Sequence, residues 1–234
     1  MAKIKPFLYF FYLGIEAILY VLILFVPLPF MANNILCFST VALSAIFAWI
    51  YLEQKPFFIL TAALSFTALA DFFLECVEPQ EQVISISFFF AVQMLYALYI
   101  MFFSHHVENI IHLSVHAVTL IVCGIIAALV LGPKLDYLSL VSFLYFASLL
   151  INLVFAFLHV KEHPYLAFGL LLFVLCDVTV GLATGIKEGY LPMDNPMIRG
   201  YVFAPFNFIW FFYTPSQVLL FHELYRGQKK DRTS

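Results

Sequence analysis

The sequence predicts an all-α integral membrane protein: eight transmembrane helices with both termini cytoplasmic. Three observations predict it. The 234-residue chain is 64% hydrophobic and 11% charged, with a mean hydropathy of +1.01, whereas soluble domains average roughly 45–50% apolar and about 25% charged. Its apolar residues form long continuous runs, each near the ~20 residues a helix needs to cross ~30 Å of hydrocarbon, and not the ten-residue alternations of a β-barrel. Its basic residues divide unequally between alternate gaps in those runs. No gap is long enough for a soluble domain, so residues 1–234 are read as a single polytopic domain.

The first span, about 7–26, follows Lys3 and Lys5; it is too long for a signal-peptide core and no A-x-A site follows it. Pro27 and Pro29 end it. The second, 31–51, stops before Lys55-Pro56, and the third, 57–75, stops before Pro79. The fourth covers 83–103. The fifth, 107–131, ends at Gly132-Pro133, and the sixth, 135–158, ends before His163-Pro164. The seventh covers 165–185. Pro192 and Pro196 separate it from the eighth, 201–223. One side of the membrane then collects Lys3, Lys5, Lys55, Lys161, Arg226, Lys229, Lys230 and Arg232; the other collects Lys134, Lys187 and Arg199, with Glu75, Glu78 and Glu81. The basic-rich side is cytoplasmic. The tail "YRGQKKDRTS" reads as an orientation signal touching anionic lipid. A net charge of −3 argues against a nucleic-acid partner. Cys37, Cys76, Cys123 and Cys176 form no CxxC, so no disulfide, zinc knuckle or redox pair is expected.

Three carboxyls fall at membrane depth: Glu16, Asp71 and Asp177. A charge at the bilayer centre costs roughly 2.5–3.5 kcal/mol on insertion scales, so such residues face a cavity or a partner. At ~1.5 Å per residue, Asp71 lies about 21 Å and Asp177 about 18 Å from the cytoplasmic end, in one layer, and Glu16 about 14 Å. Thr67, Asp71 and Glu75 share a helical face, as do Asp177, Gly181 and Thr184, where glycine permits close approach. Tyr9, Tyr12, Glu16 and Tyr20 stripe span 1; Gln93 and Tyr96 pair in span 4; Trp210, Tyr213 and Gln217 share a face of span 8, which Pro215 is expected to bend. In span 5, "SHHVENIIHLSVH" aligns Glu108, His112 and His116, with His105 a turn earlier. Such a stripe can hold zinc, but it reads first as an interfacial polar face. No GxGxxG, P-loop or GxSxG elbow is present.

These segments, in order, resemble the YhhN family of eight-span membrane proteins, which includes the lysoplasmalogenases. "TALADFFL" is similar to the family's small-small-Asp motif in span 3, and "VQMLYALYIMFF" to its His-x-x-Tyr pattern in span 4. "LLFVLCDVTVGL" is similar to its Ser-Asp segment in span 7, and "YTPSQVLL" to its Tyr-x-x-Ala-Gln pattern in span 8. The span 4 histidine is Gln93 here, the residues before the aspartates are Ala70 and Cys176, and Lys55-Pro56 precedes span 3 where the family's pair opens span 2. The resemblance implies a hydrolase of the vinyl ether bond of lysoplasmalogen, an amphiphile met in the membrane, with no metal or organic cofactor. Asp71 and Asp177 would be catalytic. Gln93, Tyr96, Tyr213, Gln217 and Glu16 would line the substrate site. In a bacterium the protein would sit in the cell membrane. Two rivals remain open on the residues alone: a transporter or lipid-binding receptor using the three acids as a relay or pocket, and a metal-dependent intramembrane hydrolase built on Glu108, His112 and His116.

Overall fold

The computed structural model describes residues 4–53, 55–77, 80–187, 200–201 and 206–231. Lys3, Glu78, Pro79, Pro192, Pro196, Arg199 and the tail beyond Asp231 lie outside them. The described residues build eight long helices: α1 Ile4–Phe25, α2 Phe30–Tyr51, α3 Lys55–Asp71, α4 Gln82–Phe103, α5 His106–Leu131, α6 Tyr137–Leu158, α7 Pro164–Lys187 and α8 Phe208–Asp231. Seven of them are long and apolar enough to cross a membrane; α8, with its charged C-terminal third, is not among the seven.

Local chemistry sets the helix ends. Asp136 caps α6 by accepting the Ser139 N–H at 2.8 Å, and that bond holds its carboxyl below the usual carboxylate range. At the head of α5, His105 and Glu108 form a capping box. Gly132, at φ 51°, lets the chain leave α5 into a tight turn. The last helix starts later than the expected residue 201. Asn207 caps it by accepting the Trp210 N–H, so its first turn forms at Phe208.

Six helices close a ring in the order α2, α3, α4, α6, α7, α8 and back to α2, with α3 also touching α8 across it. The flanking helix α1 packs on α2 and α8, while α5 packs on α6 and α4. Exchanging the first four helices for the last four leaves the ring and both flanks unchanged. Large apolar side chains on the outer faces, such as Leu129 and Val130 of α5 and Phe10 of α1, are exposed, as a lipid-facing surface requires.

Two backbone features were not expected. Beyond Asp71 the chain continues as a π-helical turn, Phe72–Cys76. Glu75 lies in that turn, still in electrostatic contact with Asp71, and its backbone carbonyl accepts from Asn34 Nδ2 at 3.2 Å. Close approach in α7 occurs at Gly169, not at Gly181. A Cβ at Gly169 would stand 2.9 Å from Leu220, and Ser216 donates to the Gly169 carbonyl at 2.8 Å. Gly181 and Thr184 are exposed. Pro215 stays inside α8. Its missing N–H leaves the Phe211 carbonyl without a helical partner, and the Tyr20 hydroxyl supplies that bond at 3.1 Å.

Candidate active site inside the helix ring

Asp71 ends α3 against the π-turn and is 2% exposed. The Tyr213 hydroxyl of α8 donates to its Oδ2 at 2.6 Å. Asp177, on α7, is partly buried and accepts from the Tyr145 hydroxyl of α6. Asp71 interacts electrostatically with Glu75 and, more weakly, with Asp177, and Cys176 and Tyr145 each feel the charge of both aspartates. So two acids from opposite halves of the chain form one cluster, each held by a tyrosine. Each tyrosyl O–H donates to one carboxyl oxygen, which fixes the rotamer of the acid and leaves its other oxygen for proton transfer.

Gln93 and Tyr96 are buried on α4. Asn152 Nδ2 of α6 donates to the Gln93 carbonyl at 2.8 Å and to its Oε1 at 3.1 Å. The Tyr96 hydroxyl lies beside Thr67, one turn before Asp71. On α8, Gln217 is buried one turn past Tyr213, with neither side-chain polar atom hydrogen-bonded. Glu16 stands apart. It is buried on the flanking α1, where its electrostatic partner is Tyr12, and both its oxygens lack a hydrogen bond.

The span 5 stripe departs from its expected place. His105 and His106 are exposed, but His112 is 1% and His116 6% exposed, and His112 stacks on Phe155 of α6 at 4.0 Å. His112 and His116 therefore face the bundle, where the stripe was expected to be a solvated polar face. Glu108 turns back to cap its own helix at His105 and does not join the two imidazoles. Among the described residues no three His, Cys, Asp or Glu side chains are grouped as metal ligands. Nearby, Ser104 and Glu108 both approach Nε2 of His159, at 3.1 and 3.5 Å. Because they share one ring nitrogen, no Ser–His–carboxylate relay runs through that ring.

Sequence reasoning missed Tyr145 and Asn152. The signal was present: Tyr145, Ser148 and Asn152 recur at helical spacing in an otherwise apolar span, and all three are buried facing the ring.

A family model described as the YhhN family matches residues 33–224, a stretch that begins in α2 and takes in Asp71, Gln93, Asp177 and Gln217. No curated protein and no solved structure matches the chain.

Proposed function

Since the chain belongs to the YhhN family, we propose that it is a multi-pass membrane hydrolase that cleaves the vinyl ether bond of lysoplasmalogens, releasing a fatty aldehyde and a glycerophospho-base. Eight membrane spans with both termini cytoplasmic belong to this reading, as does a substrate that arrives from the surrounding lipid. The observation that carries it is the tyrosine-held carboxyl cluster of Asp71 and Asp177, built from α3, α6, α7 and α8.

The chemistry asks for such a pair. One carboxylic acid gives its proton to the β-carbon of the vinyl ether, which converts the C=C–O unit to an oxocarbenium ion. The other, ionised, stabilises that cation and takes a proton from the attacking water. The resulting hemiacetal collapses to aldehyde and alcohol, and the proton returns to the first acid. Two carboxyls in unequal surroundings divide roles in this way in glycoside hydrolysis, and here Asp71 is the more deeply buried. Gln93, Tyr96 and Gln217 supply amide and hydroxyl groups to orient water and headgroup. No step calls on a metal or organic cofactor.

The test is product analysis. Purified protein in bilayers is given lysoplasmalogen and, in parallel, ester lysophospholipid, and the products are read by mass spectrometry. Aldehyde and glycerophospho-base from the vinyl ether alone support the proposal. Absence of aldehyde above a protein-free control overturns it.

A further inference from the structure

We propose that the Asp71–Asp177 cluster takes its lipid from one leaflet only, the leaflet at the end of the bundle that holds the π-turn, and releases the glycerophospho-base to that side. This rests on the function proposed above and adds the direction of approach.

Contacts between helices define the two ends. At one, His163 bonds Glu223 at 2.6 Å, the Tyr9 hydroxyl bonds Nδ1 of His222, and Gly227 packs on the Phe57 ring. At the other, the π-turn Phe72–Cys76 continues α3, and Asn34 holds the Glu75 carbonyl at 3.2 Å. The acids and their tyrosines do not sit midway. Asp71 is sixteen residues from the start of α3 but five from the end of the π-turn, and Tyr213 is five residues from the start of α8. Asp177 is thirteen residues from Pro164 and ten from Lys187, and Tyr145 is thirteen from Leu158 and eight from Tyr137. At ~1.5 Å per residue, Asp71 lies about 24 Å from the His163–Glu223 end and about 8 Å from the π-turn end.

The interior differs on the two sides of this layer. Toward the His163–Glu223 end, Leu60, Ile100, Leu166, Leu170, Leu220 and Leu224 have no exposed surface. Phe173, one turn from Asp177 on that side, is buried against the Tyr213 ring at 5.3 Å and floors the cluster. Toward the π-turn end, no residue of the turn itself is fully buried, and the buried side chains include the polar Asn34, Ser85 and Thr179. Approach from the first side must pull apart a close-packed apolar plug. Approach from the second parts half-buried residues around a π-turn, a geometry frequent at functional sites.

The chemistry of the lipid selects the same side. Only the glycerol backbone separates a vinyl ether from the phosphate, so the reacting bond lies just beneath the headgroup layer of its own leaflet. A headgroup at the His163–Glu223 end leaves that bond far short of Asp71, and a charged phosphate cannot descend into the leucine plug. A headgroup at the π-turn end brings the bond to Asp71 within about two helical turns, while the hydrocarbon chain trails sideways into lipid.

The experiment uses the full chain carrying Glu81→Cys, in sealed membrane vesicles of the two orientations, sorted by labelling with an impermeant maleimide. Lysoplasmalogen added outside enters the outer leaflet, and its charged headgroup crosses hydrocarbon slowly. Vesicles that expose residue 81 should release aldehyde on the order of tenfold faster than those that expose the opposite end, and opening both with detergent should equalise the rates. Equal initial rates in sealed vesicles, or the reverse preference, overturn the proposal. If opened vesicles release no aldehyde, the functional reading fails. Direction is then decided by an uncleavable 1-O-alkyl lysophosphatidylethanolamine bearing a diazirine on the first carbons of its chain. Crosslinks on the buried Ser85 or Thr179, competed by unlabelled lipid, support entry at the π-turn end; crosslinks on Leu166 or Leu224, or none on any buried residue, overturn it.

Discussion

Replacing Asp71 by asparagine separates the proposed acid chemistry from the fold. The amide is nearly isosteric, and its Oδ1 can still accept the Tyr213 hydroxyl that now sits 2.6 Å from the carboxylate. Packing at this buried position should therefore survive, and removing a buried ionisable group can even stabilise the apo protein. What the amide lacks is a proton to give and a charge to set against the oxocarbenium ion. Loss of a positioned acid or base costs about 10²–10⁴ in rate, or roughly 3–5 kcal/mol. Tyr213→Phe is the internal control. It leaves the carboxyl in place and deletes one charge-assisted hydrogen bond, worth about 1.5–3 kcal/mol, so its rate loss should be roughly 10- to 150-fold. The assay is single-turnover aldehyde release in nanodiscs, with thermal unfolding of each variant alongside. Asp71→Asn must be the more damaging of the two. Full turnover in a folded Asp71→Asn protein, or a Tyr213→Phe loss exceeding it, refutes Asp71 as a proton-handling group.

Asp177→Asn should likewise remove most activity, and Tyr145→Phe should remove less, because Tyr145 holds Asp177 as Tyr213 holds Asp71; equal damage from both would make Tyr145 more than a support. Tyr20→Phe leaves the Phe211 carbonyl unpaired beside Pro215, so thermal unfolding in bilayers should show a loss of about 1–3 kcal/mol. Chelation with EDTA should leave turnover intact, since Glu108 is committed to its helix cap; loss of activity restored by zinc would revive the metal reading. The Asp136 carboxyl, lowered by its bond from Ser139, stabilises the fold above its unfolded-state pKa, and this contribution fades as pH falls through the lowered folded-state value; Asp136→Asn should therefore flatten the acid side of the stability–pH curve. Cysteines placed singly near residues 81 and 226 should label from opposite faces of the membrane, as the basic asymmetry requires.

The helices were legible because the sequence states its solvent: apolar runs separated by proline and glycine leave little choice of secondary structure in hydrocarbon. Asp71, Asp177 and Tyr213 were legible for a related reason, since polar groups at membrane depth are too costly to be incidental. What sequence could not show was direction. The face of α5 carrying His112 and His116 has charged neighbours at its head, which reads as an interface, yet α5 is a flanking helix with a single inward side, and that side carries the two histidines. The π-turn after Asp71 also had no sequence signal, because "DFFLEC" propagates an α-helix as readily as it inserts an extra residue. Gly169 could not be ranked above Gly181 without knowing which residues of α8 lie opposite.

The ring explains why the two acids, 106 positions apart in the chain, meet. Exchange of the two four-helix halves maps α3 onto α7 and preserves the ring contacts, as expected of parallel repeats related by an axis along the membrane normal. Asp71 and Asp177 occupy these paired helices, so an axis through the ring brings them toward each other without any long-range device. Their supports break the symmetry. Asp71 takes its tyrosine from α8, across the ring, whereas Asp177 takes its own from the adjacent α6. Asp71 also adjoins a π-turn. A symmetric pair would share one proton and one role. Under the proposed hydrolysis, unequal burial and unequal partners would let two identical side chains act as acid and base in a single turnover.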